Sequence, residues 1–269
     1  MYNLNKNNRA LNSAYWNSVA ERIIRYPLEQ NIAEYKREEH IKLIEKWVGS
    51  LRNKTVLKTD LFEEALGQDH FLFWMLNQTH QVYGMDISFN ITKRAKDRTK
   101  QLNCKSNKFV VCDVRMPSFK NESFDLVVSN STLDNIYKND VSGALFELRR
   151  ILKPKGILIL TLDNKHNPLY LMGYLIEKIL NTNKYYLSKC YTLKETLNLV
   201  RQHNFIVQEF TFLVHIPTPF NKLALFLTKI NKGLFDKLIK YFIRIFSKLG
   251  SKKTKFLTGW FLALKLEKG

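Results

Sequence analysis

Short apolar runs alternate with amphipathic segments along most of the chain. Runs at 55–58, 81–85, 108–112, 124–129 and 156–162 are rich in Val, Leu, Ile and Phe and bounded by polar residues. That pattern suits short buried strands. Between them, segments near 64–78, 88–101 and 138–153 repeat apolar residues at helical spacing. Strands alternating with helices predict βαβ units, and right-handed crossovers then build a doubly wound, mostly parallel sheet. A further helix over 192–203 leads into a strand over 205–214, and a last strand occupies 260–266. The predicted fold class is therefore α/β, with five parallel strands followed by two more.

The first fifty residues read differently. Tyr15, Trp16, Val19, Ile23 and Ile24 give partial helical spacing, and Pro27 closes that element. A second helix is expected over 38–50, with Ile41, Leu43, Ile44, Trp47 and Val48 as its apolar stripe and Gly49 at its stop. The expected organisation is an N-terminal helical cap over 1–50, then one α/β domain over 51–269 that includes an insertion at 216–256.

Composition narrows the chemistry. With 269 residues, 45% of them hydrophobic, the chain can fill the core of one large domain. Cys104, Cys112 and Cys190 form no CxxC pair, so neither a zinc site nor a disulfide framework is expected, and a reducing cytoplasm fits. The polar N-terminus has no apolar signal core, and no apolar run reaches the ~18 residues of a spanning helix. The chain also lacks a GxxxxGK[ST] phosphate loop, an HExxH helix and a GxSxG elbow.

In open α/β sheets, ligands bind beyond the carboxyl ends of the strands, so the residues just after each strand matter most. They read VLKTDLFEEALG, VYGMDIS, FVVCDVRMPSFKNESFDLVVS, SNSTLDNIY and, through the fifth strand, FELRRILKPKGILILTLDNKHNP. In combination these resemble the class I S-adenosylmethionine-dependent methyltransferases of the methyltransferase type 11 kind, a Rossmann-like family with a seven-stranded sheet. The resemblance spans roughly 170 residues and fits the last strand as well.

The resemblance implies S-adenosylmethionine as cofactor and assigns roles. Asp60 and Glu63, in the first turn, would lie near its amino group; Asp60 could equally cap the next helix. Asp86, with Ile87 beside it, would accept hydrogen bonds from the ribose hydroxyls, or cap the helix near Ser88. Asp113 and Val114 fall where relatives hold adenine, and Asp125 reads as a structural residue at strand entry. Ser129, Asn130, Ser131, Thr132 and Asp134 line the expected mouth after the fourth strand, where Asn135 stands in place of a frequent His. Asn135 cannot serve as a base near neutral pH, which leaves Asp134 and His166 as candidate proton acceptors. One departure is plain: the first turn has no glycine before Gly67, and Lys155 replaces a common Gly in the Lys-Pro-x-Gly turn.

Net charge is +19, and from Pro219 to Gly269 twelve Lys/Arg stand against two acids, Asp236 and Glu267. The insertion interleaves Lys229, Lys232, Lys237, Lys240, Arg244 and Lys248 with Leu, Ile and Phe. Two readings are open: basic amphipathic helices lying on an anionic membrane, or helices that pack on the domain and cover the acceptor pocket. Bulky aliphatics between the lysines argue against a nucleic-acid partner. The expected function is methyl transfer to a small-molecule or lipid-linked acceptor in the cytoplasm, with the first reading of the insertion placing it at the inner face of the membrane. The alternatives are a non-catalytic binding or scaffold protein of the same fold, and an RNA methyltransferase. SNSTLDN is not the Asn/Asp-Pro-Pro-aromatic motif of amino methylases.

Overall fold

A computed structural model describes residues 6–24, 27–68, 70–102, 108–179 and 189–269; Cys104 lies outside them. The strands are β1 (Val56–Lys58), β2 (Val82–Asp86), β3 (Phe109–Val111), β4 (Phe124–Asn130), β5 (Leu152–Asp163), β6 (Phe205–Leu213) and β7 (Phe261–Lys268). They form one sheet in the order β3-β2-β1-β4-β5-β7-β6. β1 to β5 are mutually parallel, and β7 runs antiparallel to both neighbours. Strand order therefore reverses between β1 and β4, and the crevice at that switch point is where such a sheet binds ligands.

Both faces of the sheet are covered, which explains why its central strands read as continuous apolar runs. On one face lie α1 (Lys6–Arg22), α2 (Gln30–Trp47), α3 (Phe62–Leu66), α4 (Phe71–Gln78), α5 (Phe89–Gln101) and part of the C-terminal insertion. Val19, Ile32, Ile44 and Trp47 share a core there with Val56, Leu126, Ile159 and Ile239. The other face buries Val141, Leu145 and Leu148 of α6 (Lys138–Ile151) and Val200 of α8 (Leu193–Gln202). α8 opens with a capping box between Thr192 and Glu195. An unforeseen α7 (Pro168–Ile179) follows β5. The insertion is α9 (Thr218–Ser247), a 3₁₀ turn, and a one-turn α10 (Lys255–Thr258).

Three boundaries depart from expectation for visible reasons. The second N-terminal helix starts at Gln30 rather than 38, because Glu29 caps it, accepting from the N–H groups of Asn31 and Ile32. The helix expected over 64–78 is two helices. Gly67 ends the first, where a Cβ would come within 2.9 Å of Glu63 Cα, and His70 enters the second at φ +55°. Glu64 bridges the break: its Oε1 accepts the Leu72 N–H at 2.9 Å, giving an otherwise orphaned donor of α4 a carboxylate.

The third departure is β5, which begins at Leu152 directly after α6. Its register against β4 jumps between the Phe124–Leu152 and Leu126–Ile157 pairs. Within that irregular stretch Lys155 sits at φ +59°, a region that costs a residue with a Cβ about 1 kcal/mol relative to glycine. Lys155→Gly is therefore expected to raise stability by about 0.5–1 kcal/mol, read from a urea melt. A lowered midpoint would show that the lysine side chain holds the turn.

Candidate active site

The turn after β1 is built without glycine, and side chains replace what glycine would supply. Lys58 ends β1 buried, with its Nζ donating to the Asp60 carbonyl and, at 2.9 Å, to Glu64 Oε2. This enclosed ion pair ties the turn to α3. Leu61 leans across β2 at Gly84, where a Cβ would lie 2.8 Å from Leu61 Cδ2. Gly84 thus leaves room for the Leu61 side chain to pack on the neighbouring strand.

Asp86 holds the other side of the turn. Its Oδ2 accepts the Leu61 N–H at 3.1 Å and its Oδ1 accepts the Ser88 N–H at 2.8 Å. Ser88 itself caps α5, accepting from Ile91. Each Asp86 oxygen thus keeps acceptor capacity for a further donor. Asp60 Oδ1 accepts the Phe62 N–H at 2.9 Å, at the start of α3. Burial, then the neighbouring Asp60 carboxylate, push Asp86 up to about 7. Burial pushes Asp60 up to about 6, against the pull of the Lys58 ammonium.

These acids border a cleft of about 520 Å³, counting the space that opens to solvent. Thr59, Asp60 and Phe62 line it from the first turn, Asp86, Ile87 and Ile91 from the end of β2 and α5, and Cys112, Asp113 and Val114 from beyond β3. Thr132, Asn135 and Ile136 close it below β4, and Asn12 and Trp16 of α1 reach over it. α1 is pinned there: Ser13 donates to the Ile87 carbonyl at 3.2 Å, and Asn17 Oδ1 accepts from Ser88 Oγ and the Asn90 N–H. Trp16 meets Phe62 edge-on at 5.9 Å.

Of the residues singled out from sequence, Asp60, Asp86, Ile87, Asp113 and Val114 come together here, and four do not. Glu63 turns to the opposite side of α3 and pairs with Lys36 of α2 at 2.5 Å. Ser129 is enclosed within the sheet, where its hydroxyl has no partner among the described residues. Asp134 is fully buried, and its Oδ2 accepts the Asp163 N–H at 2.9 Å. Burial and the Asp163 carboxylate hold it well above the usual carboxylate range. It ties the turn after β4 to the end of β5. His166 is exposed, its ring set edge-on against Phe256 at 6.0 Å, outside the cleft wall. Of the candidate catalytic pair, Asp134 is thus engaged with the Asp163 backbone and His166 stands outside this cleft wall.

Asp113 reaches the wall but its carboxylate is engaged. Arg115 binds it through the backbone N–H, Nε and an outer nitrogen at 2.8–3.0 Å, and reaches Asp140 at 2.6 Å. An adenine amine would compete with that fork, so Val114 and Ile87 carry more of the expected nucleobase contact. Asp125 accepts from the Thr55 N–H and Lys153 Nζ, a strand-entry role. Thr132, expected at the mouth after the fourth strand, does line the cleft, whereas sequence reasoning missed Lys58, Thr59, Trp16 and Arg115. A lysine closing an apolar strand was the one available signal.

A family model described as a methyltransferase domain matches residues 63–160, the stretch from the first turn through β5. The strand order with its antiparallel β7 and the cleft at the switch point agree with it. This part of the chain is similar to the methyltransferase-domain family. An uncharacterized protein of Methanocaldococcus jannaschii is 32% identical to this chain over 124 residues, 46% of the chain and half of that relative's own length. Among solved structures, magnesium protoporphyrin IX methyltransferase from Synechocystis PCC 6803, with bound SAH, covers 97% of the chain and 100% of its own at 14% identity and a TM-score of 0.58. The [4+2]-cyclase SpnF covers 97% and 96% at 17% identity and a TM-score of 0.59. At such identities these structures establish the shared fold alone.

Proposed function

We propose that the chain is an enzyme that binds S-adenosylmethionine in the switch-point cleft and transfers a methyl group to a small-molecule or lipid-linked acceptor. The observation that carries this is the pair of carboxylates, Asp60 and Asp86, facing one cleft with both affinities for protons raised. The nearest ammonium, Lys58, is already paired with Glu64. A ligand that brings hydroxyl donors and positive charge relieves this arrangement, and a sulfonium nucleoside with an amino group brings both.

Bound there, S-adenosylmethionine supplies an electrophilic methyl group on a charged sulfur. Asp86 accepts from the ribose hydroxyls with the lone pairs its two backbone donors leave over. Ile87 and Val114 give apolar surface to the base, and Asp60 meets the amino group. Trp16, Phe62 and Ile136 exclude water from the same space. Methyl transfer is an in-line displacement, so positioning and desolvation are the protein's main contributions. The described cleft wall contains no histidine, which fits positioning rather than proton abstraction by imidazole.

The raised acids set a pH dependence. Hydroxyl donors need Asp86 ionised, so affinity is full above about 7 and falls as Asp86 takes up a proton, approaching tenfold per pH unit below that point. Protonation of Asp60 near 6 steepens the loss. The same two groups act on the stability of the free protein with opposite sign. Their folded values exceed the ordinary carboxylate range, so their ionised forms cost stability above about 7 and protonation restores it as pH falls. Titrations of S-adenosylmethionine across this range check the first statement, and a flat affinity would remove both acids from the site.

A binding protein without transferase activity is the second reading, favoured by Lys58 and Phe62 standing where a glycine-rich turn would open the methionine end. Incubation with methyl-tritiated S-adenosylmethionine and a lipid extract separates the two. Label moving into an extractable acceptor supports the enzyme, and saturable binding without label transfer to any acceptor class supports the alternative.

A further inference from the structure

α9 fastens one side to the domain and leaves an ordered apolar strip outside. Its inward contacts are specific: Ala224, Ile239 and Ile243 are buried, Asn221 accepts the Glu29 N–H, and Asp236 accepts from Asn31 at 2.9 Å. The helix breaks once, at Asn231 (φ −156°, ψ 101°). Beyond the break, Leu234, Leu238, Tyr241 and Ile245 follow one another at spacings of four and three, and all are exposed, Leu234 at 68% and Tyr241 at 61%. At 3.6 residues per turn these fall on one stripe. Lys237, Lys240 and Arg244 keep the same spacing one strip over and are also exposed. Before the break the design repeats: Leu223, Phe226 and Ile230 are exposed beside Lys222 and Lys229.

The exposed side of this helix is thus itself amphipathic, which a solvated helix on a domain surface has no reason to be. Between Thr218 and Thr258 the chain has ten Lys/Arg and a single acid, Asp236, and that acid is turned toward α2 and Lys240. The outer side therefore combines an apolar stripe, a cationic border and no carboxylate. No helix among the described residues is long and apolar enough to cross a membrane.

α9 follows β6, whose carboxyl end lies on the same sheet edge as those of β1 to β5, because β6 is antiparallel to β7 as β5 is. It packs against α7, which leaves the carboxyl end of β5 and exposes Leu169 and Met172. α10 also touches α7 and exposes Phe256 and Leu257. The apolar surface thus belongs to the edge of the sheet that carries the cleft.

We propose that the outer face of α9 docks on an anionic lipid bilayer, with Leu234, Leu238, Tyr241 and Ile245 at the acyl boundary and Lys237 and Arg244 on the headgroups. The helix lies in the interface and does not span it. The inference is independent of cofactor binding, since it uses none of the cleft residues.

Co-sedimentation of the full chain with vesicles tests it, using phosphatidylcholine alone and phosphatidylcholine with phosphatidylglycerol, at low and high salt. The chain is expected to sediment with the anionic vesicles at low salt, and more weakly with the neutral ones. Lys237→Gln/Arg244→Gln is expected to lower anionic binding roughly thirtyfold, and Leu234→Glu/Leu238→Glu at least tenfold. All four side chains are exposed, so both variants should keep the wild-type melting midpoint and cofactor affinity, which separates lost docking from lost folding. Absence of sedimentation with anionic vesicles at low salt overturns the proposal, whatever the chain does with nucleic acid. Vesicle binding that survives Leu234→Glu/Leu238→Glu also overturns it. So does light scattering that shows a dimer which the same variant converts to monomer, because a second copy would then cover the face.

Discussion

Asp86→Ala is expected to weaken binding of S-adenosylhomocysteine by about a hundredfold. A hydrogen bond to a charged acceptor contributes about 1.5–3 kcal/mol, and the substitution removes the carboxylate proposed to take both ribose hydroxyls. S-adenosylhomocysteine carries no sulfonium charge, so it reports the ribose contact apart from attraction to that sulfur. The alanine also loses the acceptors of the Leu61 and Ser88 N–H groups, which loosens the turn. Against that, it removes a carboxylate whose ionised form is disfavoured by burial and by Asp60. The two effects oppose each other in the free protein, so its melting midpoint should move little compared with the loss of ligand. Asp60→Asn provides the contrast: asparagine can still accept at the start of α3, and only the amino-group contact is weakened. Unchanged affinity in Asp86→Ala, measured by titration on folded protein, would take Asp86 out of the site.

Arg115→Ala is expected to destabilise the fold by about 3–5 kcal/mol, because it strands two carboxylates in a buried setting. The guanidinium is 1% exposed, beside Asp113 at 7% and Asp140 at 20%. It joins the segment after β3 to the first turn of α6, two elements that flank the cleft from opposite strands. A lysine offers a point charge instead of a fork and should restore only part of the loss. Adding Asp113→Ala to Arg115→Ala should recover some stability, since one orphaned charge is removed with its partner. Urea unfolding measures all three variants. A loss below about 1 kcal/mol for Arg115→Ala would mean that water reaches these carboxylates and the pair is a surface one.

The sheet was legible in the sequence because its strands are short, apolar and separated by helical spacing. Buried parallel strands need no alternation, and 124–129 or 156–162 could hardly be anything else between two amphipathic helices. Strand carboxyl ends then located Asp60, Asp86 and Asp113 at one crevice. Side-chain direction was not legible. Glu63 is three residues from Asp60, yet the one-turn helix α3 rotates it toward Lys36. Asp134 stands at the mouth in sequence, but the 3₁₀ turn at Leu133–Asn135 folds it inward onto the backbone of Asp163. His166 follows the fifth strand as expected, but it is exposed and edge-on to the ring of Phe256, ninety residues on. Each of these depends on a partner distant in the chain, which local spacing does not encode. The packing of the glycine-free turn was equally hidden: Gly84, which makes room for Leu61, lies on a neighbouring strand, and Lys58, which ties the turn to Glu64, looked like a lapse in an apolar run.

The insertion was legible as amphipathic but not as to which side faces inward. Ile239 and Ile243 anchor it while Leu238 and Phe242, adjacent in sequence and no less apolar, remain exposed. Only contact with α2 distinguishes them.

Isothermal titration of the full chain with S-adenosylhomocysteine at about pH 8, where Asp86 is ionised, bears most directly on the central claim that this glycine-free turn still holds a sulfur-linked nucleoside. A saturable heat corresponding to one site per chain, with a melting midpoint that climbs as ligand is added, is the expected result. A cooperatively folded protein that gives no heat and no change in midpoint at saturating ligand would contradict it, leaving the carboxylates of the cleft as architecture alone.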